Sequence, residues 1–133
     1  ILKKNLDSYF KILNYINDDE IISLYLNVDA VVMPTYGGPT NLPIYESFYF
    51  KKIIFYTKNL IPNDNINNRM IDIDISSPQD FLNKLNICFD DIKIKEITDS
   101  NYEYFKEICS EETFKNNYEK IFNDFSYLLS RWQ

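Results

Sequence analysis

The strongest constraint on the fold lies in residues 28–46, where an apolar run breaks into a loop and then resumes as a helical pattern. This segment holds both glycines of the chain, Gly37 and Gly38, and three of its five prolines. Because Gly and Pro are the residues that most strongly interrupt regular backbone, their concentration predicts one shaped loop. Loops that follow the strands of α/β proteins commonly bind ligands, so this loop is the first candidate site.

The residues on either side of the loop predict a βαβ unit. Residues 28–33 form a nearly continuous apolar run, which is typical of a strand buried on both faces of a parallel sheet. Leu42 and Pro43 open a helix that we expect to run to about Phe50, with Pro in the first turn where its missing N–H is tolerated. Residues 53–56 then predict a second, parallel strand.

Four further elements are predicted in the first ninety residues. Residues 9–13 have the aromatic and β-branched content of a short strand, and the acidic residues from Asp18 begin a helix that ends near Asn27. Residues 70–75 alternate strictly, which predicts an edge strand with Asp72 and Asp74 in water. A helix starts after Ser77, with Pro78 at its first position and Asp80 in the capping-box place.

The C-terminal part reads as helical. Three elements are predicted, at residues 92–97, 102–109 and 113–131. The last element repeats large apolar residues at helical spacing, so we expect it to pack across the sheet or onto a neighbouring domain, with Trp132 as a further contact. The chain is therefore predicted to be a single α/β domain over residues 1–133, with an α/β part at 9–90 and a helical extension at 91–133.

Composition excludes several classes of function. The net charge is −6 and the basic residues are scattered, which argues against nucleic-acid binding. The chain has no histidine, and this removes the usual general base and the commonest metal ligand. Cys88 and Cys109 lie in apolar surroundings, so buried free thiols are favoured over a disulfide, and a reducing, cytoplasmic setting over an extracellular one. No apolar run reaches the length of a membrane helix.

The loop itself has two interpretations. It is either a βα turn that only reverses the chain, or a binding loop for an anionic group. Gly37, Gly38, Thr40 and Asn41 lead into a helix N-terminus, where exposed N–H groups, small polar side chains and the helix dipole suit a phosphate. The spacing is neither that of a Walker A loop nor that of a Gly-x-Gly-x-x-Gly turn.

The order of residues in this region resembles a known family. Met33, Pro34, Thr35 and Tyr36, then residues 38–43, and then Glu46 are similar to the donor-site segment of retaining glycosyltransferases of group 1 (family 4, GT-B fold). Pro34, Leu42, Pro43 and Glu46 fall on matching places of that segment. Residues 18–30 and 77–81 also resemble the flanking parts of the family, so the resemblance spans about residues 9 to 87.

The resemblance implies a Rossmann-like three-layer parallel sheet, part of a GT-B C-terminal domain, that binds a nucleoside-diphosphate sugar. It places Glu46 on the nucleotide ribose and puts Gly38 where the family has its first glutamate. The loop residues would face the diphosphate and the sugar; they are Gly38, Pro39, Thr40, Asn41 and Leu42. No catalytic residue, metal or cofactor is implied beyond the donor substrate.

The expected activity is transfer of a hexose to a saccharide or lipid acceptor, as in polysaccharide biosynthesis. In that case the chain is about half of a donor domain, inactive alone, and its partner is the acceptor-binding N-terminal domain of the same parent chain. The parent is expected in the cytoplasm, or at the inner face of the membrane by peripheral association.

Two other classes remain open. The first is a noncatalytic α/β interaction module, in which the aromatic helices from Tyr102 onward bind a partner protein. The second is a receiver-like or flavodoxin-like domain, which would need an acidic cluster or a flavin-phosphate loop at the strand ends.

Overall fold

The computed structural model describes residues 9–37, 42–58, 60, 66 and 68–131. Within these residues the chain has an α/β fold built on a parallel sheet of three strands, β1 (Ala30–Met33), β2 (Ile53–Thr57) and β3 (Ile71–Ile73). Five α-helices accompany the sheet in the same part of the chain: α1 (Asp18–Asn27), α2 (Leu42–Tyr49), α3 (Pro78–Lys84), α4 (Asp91–Ile108) and α5 (Glu111–Ser130). A 3₁₀ helix (Leu85–Phe89) connects α3 to α4.

The predicted βαβ unit is confirmed. Strands β1 and β2 are parallel, with Ala30 opposite Ile53 and Met33 opposite Tyr56, and α2 lies between them in the chain. Strand β3 pairs in parallel with the other edge of β2, with Phe55 opposite Ile71. Because all three strands run the same way, their carboxyl ends meet at one edge of the sheet, which is where parallel sheets bind ligands.

Apolar side chains cover both faces of β2. On one face, Ile54 and Tyr56 belong to a cluster with Ile44 and Phe48 of α2, against which Tyr104 of α4 packs. On the other face, Ile53, Phe55 and Ile73 form a second cluster, covered by α3, the 3₁₀ helix and the beginning of α4. All five residues of β2 are buried, so this strand is the centre of the core.

The predicted helix starts at Asp18 and Pro78 are confirmed, with one difference. The side chain of Asn17 accepts a hydrogen bond from the backbone of Glu20, whose carboxylate accepts one from the backbone of Asn17. At α3, Ser77 caps the backbone N–H of Asp80 as expected. The carboxylate of Asp80 accepts a hydrogen bond from the backbone of Asp74, so it joins β3 to α3 instead of completing a capping box.

Two strand predictions need correction. Residues 9–13 form a turn and irregular backbone, and their side chains are exposed, so the apolar residues there have no sheet to pack on. The predicted strand at residues 28–33 is shorter, Ala30–Met33, and it is not buried on both faces. Val32 is 42% exposed, because β1 is an edge strand in the part of the chain that the structure describes.

The C-terminal helices also differ from the prediction. The first two predicted elements form one helix, α4, in which the polar residues Thr98 and Asn101 are buried. Asn101 donates a 2.8 Å hydrogen bond from Nδ2 to the backbone oxygen of Arg69, so its polarity serves the core and does not break the helix. In α5 the large apolar residues are exposed and do not pack across the sheet. Trp132 lies outside the described residues.

Both cysteines are free thiols, as expected, but their burial was predicted wrongly. Cys88 is half-buried beside the second cluster, and Cys109 is exposed at the end of α4. Burial, with a contribution from the charge of Asp29, raises the pKa of Cys88. None of the helices in the described ranges has the length and apolar content needed to cross a bilayer.

Candidate functional site

The start of the Gly/Pro loop is fixed by Thr35. Its hydroxyl donates to the backbone oxygen of Gly37 (2.8 Å) and accepts from the backbone N–H of Gly37 (3.1 Å). Gly37 has a φ of +155°, a conformation in which a side chain is strained although nothing lies within 4 Å of the place of its Cβ. The loop residues Gly38, Pro39, Thr40 and Asn41 lie outside the described part of the chain, so their predicted contacts with diphosphate and sugar stay predictions.

Helix α2 brings two of the predicted site residues onto one side. Leu42 is the first residue of the helix and is exposed, and Glu46 follows one turn later. Residues four apart lie above one another on an α-helix, so Glu46 is on the same side as Leu42 but farther from the loop. The hydroxyl of Ser47 donates a 2.6 Å hydrogen bond to the backbone oxygen of Pro43, within the same turns.

Glu46 is held by Tyr25 of α1. The Tyr25 hydroxyl donates a 2.7 Å hydrogen bond to Oε2 of Glu46. The Tyr25 ring is buried and stacks on Phe50, with 5.1 Å between ring centroids. Burial, and then the hydrogen bond and charge of Glu46, raise the pKa of Tyr25 well above that of an ordinary tyrosine. The phenol therefore remains a donor at neutral pH, and the carboxylate has a fixed orientation.

Glu46 and Tyr25 line a cavity of about 300 Å³ between α1 and β1. The other lining residues are apolar: Ile21, Leu24, Val28, Ala30 and Val31. A carboxylate has about four acceptor positions, and the bond from Tyr25 uses one of them. Glu46 can therefore also accept hydrogen bonds from ligand hydroxyls, such as a vicinal diol, beside an apolar wall.

A second cavity, of about 410 Å³, lies at the carboxyl ends of the strands. Tyr36 reaches it from the loop after β1, Thr57 and Lys58 from the end of β2, and Asp74 from the end of β3. Its remaining walls are Leu60, Ile73 and Ile75. The Thr57 hydroxyl donates a hydrogen bond to the backbone oxygen of Met33 (3.3 Å). The backbone N–H of Lys58 donates one to the backbone oxygen of Ile73 (2.8 Å). These two bonds hold the strand ends together around the cavity.

The carboxylate of Asp74 is held in place at this cavity. Its Oδ1 accepts hydrogen bonds from the backbone N–H of Ser76 (2.9 Å) and from the Ser76 hydroxyl (2.6 Å). These bonds lower the pKa of Asp74, and the nearby charge of Lys58 contributes in the same direction. The pKa of Asp80 is also lowered, mainly by its bond from the backbone of Asp74 and by Lys84. Both carboxylates are therefore ionised at neutral pH.

Three residues of these cavities were not found from the sequence. Lys58 and Asp74 each directly follow a strand of the parallel sheet. They could have been identified from the rule that ligands bind at the carboxyl ends of parallel strands. Tyr25 is separated from Glu46 by 21 positions, and no local pattern links them. Among the described residues, no group of three or more His, Cys, Asp or Glu side chains is placed to hold a metal ion.

The chain was compared with protein-family models, with curated proteins and with solved structures. None of the three comparisons gives a match.

Proposed function

We propose that this chain is the nucleotide-sugar-binding portion of a retaining glycosyltransferase of GT-B type. The observation that carries the proposal is the position of Glu46, which lies on the helix after the Gly/Pro loop and is oriented by the Tyr25 hydroxyl. The donor is a nucleoside-diphosphate hexose, and its ribose hydroxyls donate to the carboxylate of Glu46. The apolar residues of the neighbouring cavity supply a surface for the less polar part of the nucleoside.

The order of the strands supports a Rossmann-like domain. Consecutive parallel strands in the order β1-β2-β3 correspond to one half of a doubly wound sheet, with apolar clusters on both faces. In the described residues β1 pairs only with β2, so its other edge is available for further strands of a parent chain. In this proposal the parent also carries the N-terminal domain that binds the acceptor, and a peripheral membrane location is set by the parent.

The proposed chemistry is front-face transfer with retention. In this proposal the backbone amides of Thr40, Asn41 and Leu42 bind the donor diphosphate, and Gly38 and Pro39 face the diphosphate and the sugar. Helix α2 begins at Leu42, so the positive end of its dipole is at this end of the helix. Amides and a helix dipole stabilise the negative charge that develops on the departing diphosphate. The bond between the anomeric carbon and the diphosphate oxygen breaks, and a hydroxyl oxygen of the saccharide or lipid acceptor bonds to the anomeric carbon on the same face. The proton of that hydroxyl passes to the departing diphosphate.

Calorimetric titration with UDP, GDP and ADP tests the binding proposal. We expect one of the three nucleotides to bind the parent protein, and Glu46→Ala to weaken that binding by about tenfold, the value of one hydrogen bond to a charged group. Glu96→Ala is the matched control, because Glu96 is an exposed glutamate on α4. Equal affinity in the Glu46 variant and its control would contradict the ribose role.

The stereochemical proposal has its own test. The anomeric configuration of the first product formed by the parent protein can be read by NMR before it equilibrates. Retention of the donor configuration is the expected result, and inversion would exclude the proposed mechanism.

A second candidate function is a protein-interaction module, and one observation favours it. Helix α5 exposes eight large apolar side chains, each of which is about half or more accessible to solvent. They are Phe114, Tyr118, Ile121, Phe122, Phe125, Tyr127, Leu128 and Leu129. Contiguous exposed apolar surface of this kind marks an interaction site. This function would be favoured if none of the three nucleotides binds the parent protein and if Phe122→Glu abolishes a complex between the parent and a partner protein.

A further inference from the structure

We infer that the cavity at the carboxyl ends of β2 and β3 binds a neutral, polyhydroxylated ring such as a hexose, through Lys58, Asp74 and Tyr36. The inference goes beyond the proposed function, because it does not depend on Glu46 or on a nucleotide. Glu46 lines the other cavity, between α1 and β1.

The polar groups of the cavity complement hydroxyls. The Lys58 ammonium offers three N–H donors, and no ion pair or side-chain hydrogen bond of Lys58 is formed with the described residues. Asp74, which lines the cavity, uses Oδ1 for Ser76, and a carboxylate has further acceptor positions for a ligand. A hydroxyl both donates and accepts, so adjacent hydroxyls of one ring can bond to the ammonium and to the carboxylate together.

The surrounding charges select against anions. Lys58 is close enough to Asp74 and Asp80 for its charge to act on both carboxylates. Asp80 is paired with Lys84 (3.0 Å), so a phosphate or carboxylate ligand bound to Lys58 would meet mainly the negative charge of Asp74, and like charges at short distance repel. Hydroxyl groups carry no charge and avoid this repulsion, so a neutral ligand is favoured over a nucleotide phosphate or an amino acid.

The remaining walls suit the less polar faces of a sugar ring. The Tyr36 ring is 87% exposed and is free to stack on a ring face that carries C–H groups. Leu60, Ile73 and Ile75 line the same cavity. Its volume of about 410 Å³ falls within the range of small-molecule sites.

Amide chemical shifts of the ¹⁵N-labelled chain test the inference during titration with glucose, galactose, mannose and N-acetylglucosamine. We expect saturable shifts at the amides of Lys58, Asp74 and Ser76 with at least one sugar. Lys58→Met and Tyr36→Ala should each weaken the binding by about tenfold, the value of one good polar or stacking contact. The matched controls are Lys120→Met and Tyr9→Ala, at exposed positions outside the cavity, which should leave the affinity unchanged.

Several outcomes would overturn the inference. They are the absence of shifts with all four sugars, shifts confined to other parts of the chain, and an affinity that Lys58→Met leaves unchanged. Stronger binding of glutamate or inorganic phosphate than of any sugar would also contradict it. Nucleotide binding that persists in Lys58→Met, with sugar binding lost, separates this site from the proposed ribose role of Glu46.

Discussion

The hydroxyl of Tyr25 and the carboxylate of Glu46 form a 2.7 Å hydrogen bond that joins α1 to α2 across 21 positions of the chain. The bond has two consequences. It fixes the orientation of the residue to which we assign ribose binding, and it gives a half-buried carboxylate a donor inside the protein. The effect on ligand binding and the effect on stability can be measured separately, because removing the hydroxyl of Tyr25 leaves the carboxylate of Glu46 in place.

Tyr25→Phe should lower the free energy of unfolding by about 1–2 kcal/mol, because the carboxylate of Glu46 loses a hydrogen bond in a partly desolvated place. Urea unfolding followed by circular dichroism measures the change. Tyr15→Phe, at an exposed position, is the control and should have little effect. A similar stability for both variants would show that the Tyr25–Glu46 bond contributes nothing net.

The same tyrosine should make stability depend on alkaline pH. The folded-state pKa of Tyr25 is raised, by burial first and then by Glu46, above the value of about 10 for an unfolded chain. The stabilisation is therefore complete below about pH 10 and is lost as the pH rises from there through the raised pKa. Unfolding free energies can be measured from about pH 8 to about pH 11, on both sides of the pKa of tyrosine in an unfolded chain. They should fall more steeply with pH for the wild type than for Tyr25→Phe. Parallel profiles would contradict the raised pKa.

Phe48 and Phe125 should differ sharply in their effect on stability. Phe48 is 0% exposed and packs edge-to-face on Tyr104, whereas Phe125 of α5 is 57% exposed. Phe48→Ala should cost about 3–5 kcal/mol, and Phe125→Ala less than about 0.5 kcal/mol in the isolated chain. Phe48→Leu gives a milder variant if the alanine form does not fold. A large loss in Phe125→Ala would mean that α5 packs on the rest of the chain.

Asn101→Ala should destabilise the chain by about 1–3 kcal/mol, because the backbone oxygen of Arg69 loses its donor in a partly buried place. The hydrogen bond from Asn101 connects α4 to the segment before β3, 32 positions away. Asn123→Ala on the exposed side of α5 is the matched control. Thermal unfolding of the two variants makes the comparison, and equal midpoints would contradict the role of Asn101.

The local signals of the sequence were sufficient for the centre of the fold. The apolar run before Pro34, the helical pattern that begins with Leu42 and Pro43, and the apolar residues 53–56 predict β1, α2 and β2, because each is encoded within a few neighbouring residues. The prediction that β1 is buried on both faces was wrong, because the burial of a strand depends on how many strands lie beside it. The break predicted in α4 was wrong because Thr98 and Asn101 are polar, and the partner of Asn101 is distant in the chain.

The candidate site was predicted less completely. Leu42 and Glu46 lie on one side of α2, since their spacing is a local property, and their contacts with a donor stay predictions. Tyr25, Lys58 and Asp74 come to the cavities from other elements, and only the assembled sheet shows them. Contacts of this kind depend on the packing of α1 and on the order of the strands, which composition and periodicity do not specify.

The central claim is that Glu46 recognises the ribose of the donor. It is tested most directly by the ratio of the affinities for the preferred nucleotide and for its 2′-deoxy analogue, measured in the parent protein and in Glu46→Ala. We predict a ratio of about ten in the wild type and an intermediate ratio in Tyr25→Phe. In Glu46→Ala the ratio should be close to one, because this variant has no carboxylate to accept a hydrogen bond from the 2′-hydroxyl. A ratio that is the same in the wild type and in Glu46→Ala would contradict the claim.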